Sequence, residues 1–276
     1  MVLIGKMETL RNLSTFIVII SSLLLFGCDQ FSPKTIAQIC AENPKLCSDL
    51  NPDAWCRAEK ANIINHRYQH ANSRDDKHKY ALLTHFEKYQ VCIGKAVQIK
   101  HLKLREKETG RMMGYLTSKR EIARLSKETR QSKDPYLAYY QWSRHGHEDA
   151  LKTFLRAAEE GELKSAALNV AHATYLVKKH SALAINTLYT ALSLYTDDEP
   201  IDPEIFDSLY TLHTQRVDLF EAIVWGLVGA RFNSNTIDKK RLYGLAKHNR
   251  LAMDKLTMRA DSLHSQIESR DFSFSR

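Results

Sequence analysis

No feature limits the possible folds of this chain more than a pattern of residue sizes that recurs in its C-terminal half. Segments 148–158 and 182–192 share a small residue, a large apolar residue four positions later and another small residue three positions after that. Segment 220–230 has small residues at all three positions. Residues spaced by four and three lie on one helix face, so the pattern predicts three helices that neighbours can approach closely. The aligned residues are Ala150, Phe154 and Ala157, then Ala184, Leu188 and Ala191, then Ala222, Gly226 and Gly229.

A second apolar helix is predicted before each copy of this pattern. The first two copies are 34 residues apart, and the third follows after 38, with the extra residues in the insert DDEPIDP. Residues 134–232 therefore resemble tetratricopeptide repeats, and 157–175 is similar to the related Sel1-like repeat. An irregular helical bundle with a chance period is the alternative. The apolar positions of the preceding helices are Leu137, Ala138, Leu168, Ala171, Tyr175, Phe206 and Leu209.

The N-terminal part also has helical patterning, without the period-2 alternation of strands. The predicted fold class is all-α: helical hairpin repeats, a TPR-like α-solenoid, preceded by a disulfide-tied helical N-terminal region. A final helical segment at 236–268 is expected to cap the last repeat, and the closing residues 271–276 are expected to be frayed. In the N-terminal region, helices are predicted at 33–41, from 51–53 onward, over 75–107 and over 118–129, with Gly110 and Gly114 as breaks.

The N-terminal region contains four cysteines that lie close together in the sequence: Cys40, Cys47, Cys56 and Cys92. An even number of cysteines in an exported chain predicts two disulfides, for which three pairings are possible. We favour Cys40–Cys47 and Cys56–Cys92, because the first closes a turn and the second ties two predicted helices. Metal binding is the competing interpretation, but no pair has the two-residue separation of a zinc knuckle.

The first residues are typical of a secretory signal. Lys6 and Arg11 precede a mostly apolar run at 13–27, which is short for a transmembrane helix. Residues 25–28, Leu-Phe-Gly-Cys, resemble a bacterial lipobox. The resemblance implies that residues 1–27 are removed and that Cys28 carries the lipid anchor. Translation could start at Met1 or at Met7.

Asp29 follows the lipidated cysteine and resembles the signal that retains lipoproteins in the inner membrane of enteric-type bacteria. The expected location is therefore the periplasmic face of the inner membrane, with the inner leaflet of the outer membrane as the alternative. The expected domains are 28–133, with the disulfides and a basic segment, and 134–276, with the repeats. The segments ICAENPKLC and DAWCRAEK, together with the lipobox, resemble an uncharacterised family of gamma-proteobacterial lipoproteins, which implies a location but no activity.

The net charge of +8 is concentrated in one segment. Residues 100–133 hold eleven Lys or Arg residues and four Glu residues. In the periplasm, anionic lipid headgroups are a better partner for this segment than nucleic acid, which we do not expect to bind. A solvated basic helix face is the alternative.

The sequence shows little sign of catalysis. It has no Gly-x-Ser-x-Gly, P-loop or Gly-x-Gly-x-x-Gly motif. His66 and His70 are four residues apart and could share a helix face, but no His-Glu-x-x-His motif is present. We therefore expect no catalytic residue, no cofactor and no metal site.

The predicted function is that of a protein–protein interaction adaptor, since stacked helical hairpins form a groove that can hold a peptide or a partner helix. A structural envelope spacer or assembly subunit is the alternative, and an enzyme acting on cell-wall glycan is less favoured. Ordinary packing between helices is the alternative role for the candidate groove residues. These residues are Tyr140, Gln141, His172, Tyr175, Tyr210 and His213.

Overall fold

The computed structural model describes residues 33–73, 75–100, 105–234 and 238–274. These residues form α-helices and one 3-10 turn, Pro44–Leu46, without a strand, so the all-α prediction is confirmed. None of these helices has the length and apolar character needed to cross a membrane. The helices are α1 Ile36–Glu42, α2 Arg57–Gln69, α3 Asp76–Val97, α4 Arg105–Glu128, α5 Pro135–His145, α6 Glu148–Glu159, α7 Ala166–Leu176, α8 Ser181–Ser193, α9 Glu204–Gln215, α10 Leu219–Arg231, α11 Lys239–His248 and α12 Met253–Glu268.

The described chain forms two compact units. Unit 1 contains residues 33–73 and 81–122, and unit 2 contains residues 75–80 and 123–274, with the gaps given above. The units therefore divide inside α4, before the boundary that the sequence predicts at residue 134.

Hydrogen bonds explain why the end of α4 belongs to unit 2. The side-chain amide of Gln141, on α5, donates to the carbonyl of Ser126 at 2.8 Å and to the hydroxyl of Thr129 at 3.0 Å. The hydroxyl of Ser132 donates to the carboxylate of Asp76, which brings the first turn of α3 into the same unit.

The two disulfides of unit 1 have the predicted pairing. Cys40–Cys47 joins the end of α1 to the residue after the 3-10 turn, with 5.7 Å between the Cα atoms. Cys56–Cys92 joins the residue before α2 to α3, with 5.8 Å between the Cα atoms. Both Cα separations lie in the usual range for disulfides.

The predicted helix start at 51–53 is wrong, because these residues form a hydrogen-bonded loop. The side-chain amide of Asn51 donates to the carboxylate of Asp53 at 2.6 Å and to the carbonyl of Trp55 at 3.0 Å. Cys56 then has a left-handed conformation, with φ of 54°, and α2 begins at Arg57. Asn and Asp side chains commonly hold turns in this way.

The predicted breaks at Gly110 and Gly114 are also wrong, because α4 continues through both glycines. A Cβ atom at Gly110 would lie 2.5 Å from Cδ of Pro52, and one at Gly114 would lie 2.2 Å from the hydroxyl oxygen of Tyr89. Both glycines therefore permit close approach of another segment, and neither ends the helix.

The long helix predicted over 75–107 ends at Val97. The guanidinium of Arg111, on α4, donates to the carbonyl of Ala96 at 3.2 Å. This bond satisfies one of the last carbonyls of α3 without a further helical turn.

Unit 2 contains three helical hairpins in sequence: α5 with α6, α7 with α8, and α9 with α10. Every position of the small–large–small pattern is buried, as predicted. Gly226 shows the reason for a small residue there, since a Cβ atom would lie 2.9 Å from a methyl carbon of Leu242 on α11.

The final helical segment is divided in two. The backbone N–H of Leu251 bonds to the carbonyl of Ala246 at 2.9 Å, and Arg250 is left-handed with φ of 56°, so α11 ends before α12 begins. Both helices pack against α10. Leu256 and Leu263, on α12, are buried in the core of unit 2.

Candidate functional site

The structure places the predicted groove residues of α5 and α7 in different surroundings. Tyr140 and Gln141 are buried, and Gln141 is the residue that holds the end of α4. His172 is half-buried, with its ring centroid 6.2 Å from that of Phe154, and burial lowers its pKa. Tyr175 is half-buried, and its hydroxyl accepts a hydrogen bond from Lys179 at 2.6 Å.

The two groove candidates on α9 also differ. Tyr210 is half-buried against the backbone of Gly226, while His213 is buried and faces a cavity. Of the six candidates, His213 lines this cavity and the other five do not. Three of the six candidates are thus buried and three are half-buried, and the groove that they were expected to line stays a prediction.

The cavity lies in unit 2 and has a volume of about 800 Å³. It is bounded by α8, α10, α12 and residues 271–274, here named the DFSF segment. We call it the α8–α10–α12 cavity. Its walls combine aromatic rings with charged groups. Its lining residues include Ala182, Asn186, Tyr189, His213, Arg216, Asp218, Glu221, Trp225 and Arg259.

A chain of hydrogen bonds crosses one wall of the cavity. The Nε1–H of Trp225 donates to the hydroxyl oxygen of Tyr189 at 3.1 Å. That oxygen lies 3.0 Å from Nε2 of His213, and Nδ1 of His213 lies 3.2 Å from a carboxylate oxygen of Asp218. Since the indole can only donate, the consistent arrangement has Tyr189 donating to Nε2 and His213 donating from Nδ1 to Asp218.

Local structure positions each member of this chain. Asp218 is the N-cap of α10, and its other carboxylate oxygen accepts from the backbone N–H of Glu221 at 3.3 Å. Tyr189 lies on α8 and His213 lies in the last turn of α9. Burial raises the pKa of Tyr189, so its hydroxyl keeps its proton and acts as a donor.

Charged groups surround the same space. Burial raises the pKa of Glu221, against the opposing effect of the nearby charge of Arg259. Arg216 and Arg259 are exposed, and neither forms an ion pair within 4.0 Å with a residue of the described ranges. The cavity can therefore offer two guanidinium groups to a ligand, beside the carboxyl groups of Asp218, Glu221 and Asp271.

The DFSF segment is ordered against this cavity and is not frayed as predicted. Arg270 is left-handed, with φ of 60°, and its guanidinium donates to the carbonyls of Thr196 at 3.1 Å and Glu199 at 2.9 Å. The chain therefore turns back after α12. Phe272 is 5% exposed, and Phe274 is 46% exposed.

Part of the basic segment forms ion pairs with acidic residues outside it. In unit 1, Arg111, whose side chain is buried, lies 2.7 Å from the carboxylate of Asp53. In unit 2, Arg130 lies 2.7 Å from the carboxylate of Asp149. The excess of positive charge available to a lipid surface is therefore smaller than the sequence indicates.

One face of α4 nevertheless exposes apolar side chains beside a basic residue. Met112, Met113 and Leu116 are 42%, 40% and 54% exposed. With Arg120 and Lys100, they line a cavity of about 540 Å³ in unit 1. We call this surface the α4 methionine face.

The histidines of unit 1 are close together. The ring centroids of His66 and His70 are 4.6 Å apart, and those of His66 and His85 are 5.5 Å apart. Burial, followed by the nearby charge of Lys88, lowers the pKa of His85, which favours its neutral form. The prediction that the chain has no metal site stays a prediction.

Sequence reasoning missed most of the cavity residues because it placed the groove on the first helix of each repeat. Tyr189, Glu221 and Trp225 lie instead on second helices, and Arg259 lies on α12. The sequence of α10 did contain an indication of a site. The helix is strongly apolar, but Glu221 and Trp225 are four residues apart and therefore lie on one face.

Comparisons with known proteins give one match. The family described as "Protein of unknown function (DUF2989)" matches residues 25–227. This match includes α8 and most of α10, while α12 and the DFSF segment lie beyond it. No curated protein and no solved structure matches the chain.

Proposed function

The chain belongs to the DUF2989 family, and on this premise we propose that it is a membrane-tethered, periplasmic adaptor that binds a protein partner in the α8–α10–α12 cavity without catalysing a reaction. The observation that carries the proposal is the composition of the cavity, with aromatic rings on its wall and two guanidinium groups without a carboxylate partner among the described residues. Aromatic and Arg side chains are the residue types that dominate binding energy at protein interfaces.

The hydrogen-bond chain supports a binding role. Both ring nitrogens of His213 are occupied, by Tyr189 and by Asp218, within the protein itself. The raised pKa of Tyr189 keeps its hydroxyl neutral. These groups fix the wall of the cavity, since buried hydrogen-bonded networks hold their side chains in one arrangement.

The tether is proposed from the sequence. Cys28 and Asp29 lie outside the described residues, and the proposal rests on the lipobox-like residues 25–28. Several acyl chains would give a stable anchor, where one chain gives only reversible binding. Retention in the inner membrane follows from Asp29, with the outer membrane as the alternative.

Palmitate labelling tests the tether. We expect Cys28→Ala to abolish labelling and to leave an uncleaved precursor, while Asp29→Ser keeps the label and moves the protein toward the outer-membrane fraction. Normal labelling of Cys28→Ala would contradict the lipid anchor. An unchanged fraction for Asp29→Ser would contradict its sorting role alone.

Partner capture tests the adaptor. Intact cells would be crosslinked and the protein purified from detergent-solubilised membranes, with two matched variants beside the parent chain. Ala182 is exposed and lines the cavity, so Ala182→Arg should block it. Leu183 is 48% exposed on the same helix and does not line the cavity, so Leu183→Arg is the control.

We expect one discrete partner that is retained by Leu183→Arg and lost with Ala182→Arg. The same purified partner should bind the purified parent chain at least about tenfold more tightly than Ala182→Arg, a difference of about 1.4 kcal/mol. Equal capture by both variants, or no partner at all, would overturn the adaptor function of this cavity.

A spacer or assembly subunit is the second candidate, favoured by the α4 methionine face. Exposed apolar side chains beside Lys100 and Arg120 suit contact with an anionic membrane surface. Binding of the chain to anionic vesicles, weakened by Leu116→Ser and by added salt, would support this candidate. Equal binding to zwitterionic vesicles would count against it.

A further inference from the structure

We infer that the α8–α10–α12 cavity recognises an extended, acidic peptide segment with two aromatic residues separated by one residue, and that the chain's own DFSF segment occupies this site until such a partner replaces it. The inference rests on the proposed adaptor function and names the chemistry of the partner. The observation behind it is that residues 271–274 of the protein itself form part of the cavity wall, with the rings of Phe272 and Phe274 against Tyr189.

The aromatic contacts of the DFSF segment define the recognition. The ring centroid of Phe272 lies 6.1 Å from that of Tyr189 and 6.2 Å from that of Trp225. The ring of Phe274 lies 4.4 Å from that of Tyr189. Separations of this size are typical of favourable aromatic pairs.

The spacing of the two phenylalanines matches an extended peptide. Side chains two residues apart point to the same side of an extended chain. Phe272 and Phe274 both reach Tyr189, while Ser273 lies between them in sequence. A partner with aromatic residues at positions i and i+2 would make the same two contacts.

The DFSF segment is held in a way that allows replacement. Within the described chain, residues 272–274 make no hydrogen bond, and Phe274 is 46% exposed. The anchoring hydrogen bonds come earlier, at Arg270 and at the backbone N–H of Asp271, which bonds to the carbonyl of Gln266 at 2.8 Å. Phe272 is 5% exposed in the core of unit 2, so a partner has to replace its buried ring as well as the exposed ring of Phe274, while Arg270 stays bound.

Charge gives a partner its advantage over the resident segment. A tethered segment competes at an effective concentration in the range of about millimolar, so a partner needs contacts that the DFSF segment lacks. Arg216 and Arg259 are free of ion pairs among the described residues, and both line the cavity. Carboxylates in the partner would form charge-assisted hydrogen bonds with these guanidinium groups.

Fluorescence anisotropy on the detergent-solubilised full chain would test the inference. The probe is a fluorescein-labelled peptide of residues 269–276, SRDFSFSR, with two Glu residues added at its N-terminus. The matched control probe carries Ala in place of both phenylalanines. The proteins are the parent chain, Phe274→Ala and Arg270→Gly, with circular dichroism as the check of folding.

Phe274→Ala removes a ring that is 46% exposed. Arg270→Gly removes the guanidinium that anchors the DFSF segment, and Gly readily adopts the left-handed backbone conformation of this position. We expect each variant to bind the probe about tenfold more tightly than the parent chain, because the internal competitor is weakened. Adding Ala182→Arg to either variant should abolish binding, and adding Leu183→Arg should not. The control probe should not bind.

Equal affinity of the parent chain and both folded variants would overturn the inference, and so would equal binding of the two probes. Either result would leave the adaptor function itself to be tested independently by partner capture. Analytical ultracentrifugation adds one further outcome. A parent dimer that becomes a monomer in Phe274→Ala would place the segment of a second copy in the cavity and would overturn occupation within one chain.

Discussion

Unit 1 and unit 2 are both helical, but they add different contacts to apolar packing. Unit 2 has an extended apolar core that runs from α7 to α12 and includes Trp225, Phe206 and Phe272. Unit 1 also buries apolar side chains, among them Phe86, and adds two disulfides and a set of buried polar contacts around the loop that begins at Asn51. The comparison shows that crosslinks and polar contacts can supplement apolar packing in one part of a chain, while another part relies on repeated apolar packing.

The polar contacts of unit 1 meet at Asn51 and Asp53. The hydroxyl of Tyr89 donates to the side chain of Asn51 at 2.7 Å and accepts from its backbone N–H at 3.0 Å. The ammonium of Lys60 donates to the carbonyls of Asn51 at 2.8 Å and Asp53 at 2.9 Å. Burial raises the pKa of Tyr89 to about 12 and lowers that of Lys60.

The largest expected effect concerns the disulfide with the longer loop. Changing Cys56 and Cys92 to Ser should lower the free energy of unfolding of unit 1 by about 4 kcal/mol, because the disulfide closes a loop of 36 residues in the unfolded chain. Hydrogen exchange during denaturant unfolding, read separately for 81–122 and 123–274, measures this loss. Equal destabilisation of both units would contradict the difference between them.

The shorter disulfide is the matched control for this prediction. Changing Cys40 and Cys47 to Ser opens a loop of 7 residues and should cost about 2 kcal/mol.

The next effect concerns the ion pair between Asp53 and Arg111. Asp53→Asn should cost about 3 kcal/mol, since it leaves the guanidinium, 3% exposed, without its carboxylate. Glu128→Gln, in the exposed pair with Arg124, is the control and should cost less than about 0.5 kcal/mol. Chemical denaturation at pH 7 measures both, and equal losses would contradict the role of burial.

The same pair predicts a pH dependence. Burial favours the neutral form of Asp53, but hydrogen bonds from Arg111, Asn51 and the backbone of Trp55 outweigh it and lower the pKa of Asp53. Because the pKa is lowered on folding, ionised Asp53 contributes its full stabilisation above about pH 3.9, the pKa of Asp in the unfolded chain. This stabilisation is lost as the pH falls through the lower pKa of Asp53 in the folded protein. The parent chain should therefore lose this contribution in acid, while Asp53→Asn should not.

Substituting two glycines of unit 1 by Ala should change stability by smaller amounts and in opposite directions. Gly114→Ala should cost about 2 kcal/mol, because its Cβ would lie 2.2 Å from the hydroxyl of Tyr89 and 3.0 Å from the backbone of Asn51. Gly94→Ala should stabilise by up to about 1 kcal/mol, since its nearest neighbour, in the ring of Tyr115, is 3.5 Å away. Thermal unfolding measures both, and stabilisation by Gly114→Ala would contradict close packing there.

The smallest effect tests the cavity of unit 2. Because burial raises the pKa of Glu221, ionising it costs stability in the folded state as pH rises through that pKa. Glu221→Gln should therefore raise the free energy of unfolding at pH 7 by less than about 1 kcal/mol. This difference should shrink as the pH falls toward about 4.3, the pKa of Glu in the unfolded chain. Destabilisation at pH 7 would show that attraction to the charge of Arg259 outweighs burial.

The comparison also explains how far the sequence could predict the structure. In unit 2, helices that are neighbours in sequence pack together, so the spacing of small and large residues predicted both the hairpins and the buried positions. In unit 1, the turn and the helices predicted around the cysteines favoured the disulfide pairing that the structure has. These features depend on local spacing, which a single sequence records.

Contacts between distant residues could not be predicted in this way. Gly110 and Gly114 looked like helix breaks because nothing in the local sequence shows that Pro52 and Tyr89 approach them. Arg111 looked like part of a solvated basic segment, although it binds Asp53, 58 residues earlier. The α8–α10–α12 cavity likewise depends on how α12 and the DFSF segment return to α8.

The connectivity of the two disulfides has a consequence for the oxidative folding of the protein. Cys40 pairs with Cys47 and Cys56 pairs with Cys92, so each partner is the next of these four cysteines along the chain. In a chain that enters an oxidising compartment N-terminus first, each native bond can form as its second thiol emerges. On the proposed export to the periplasm, we expect an oxidant alone to form both bonds, without exchange by an isomerase.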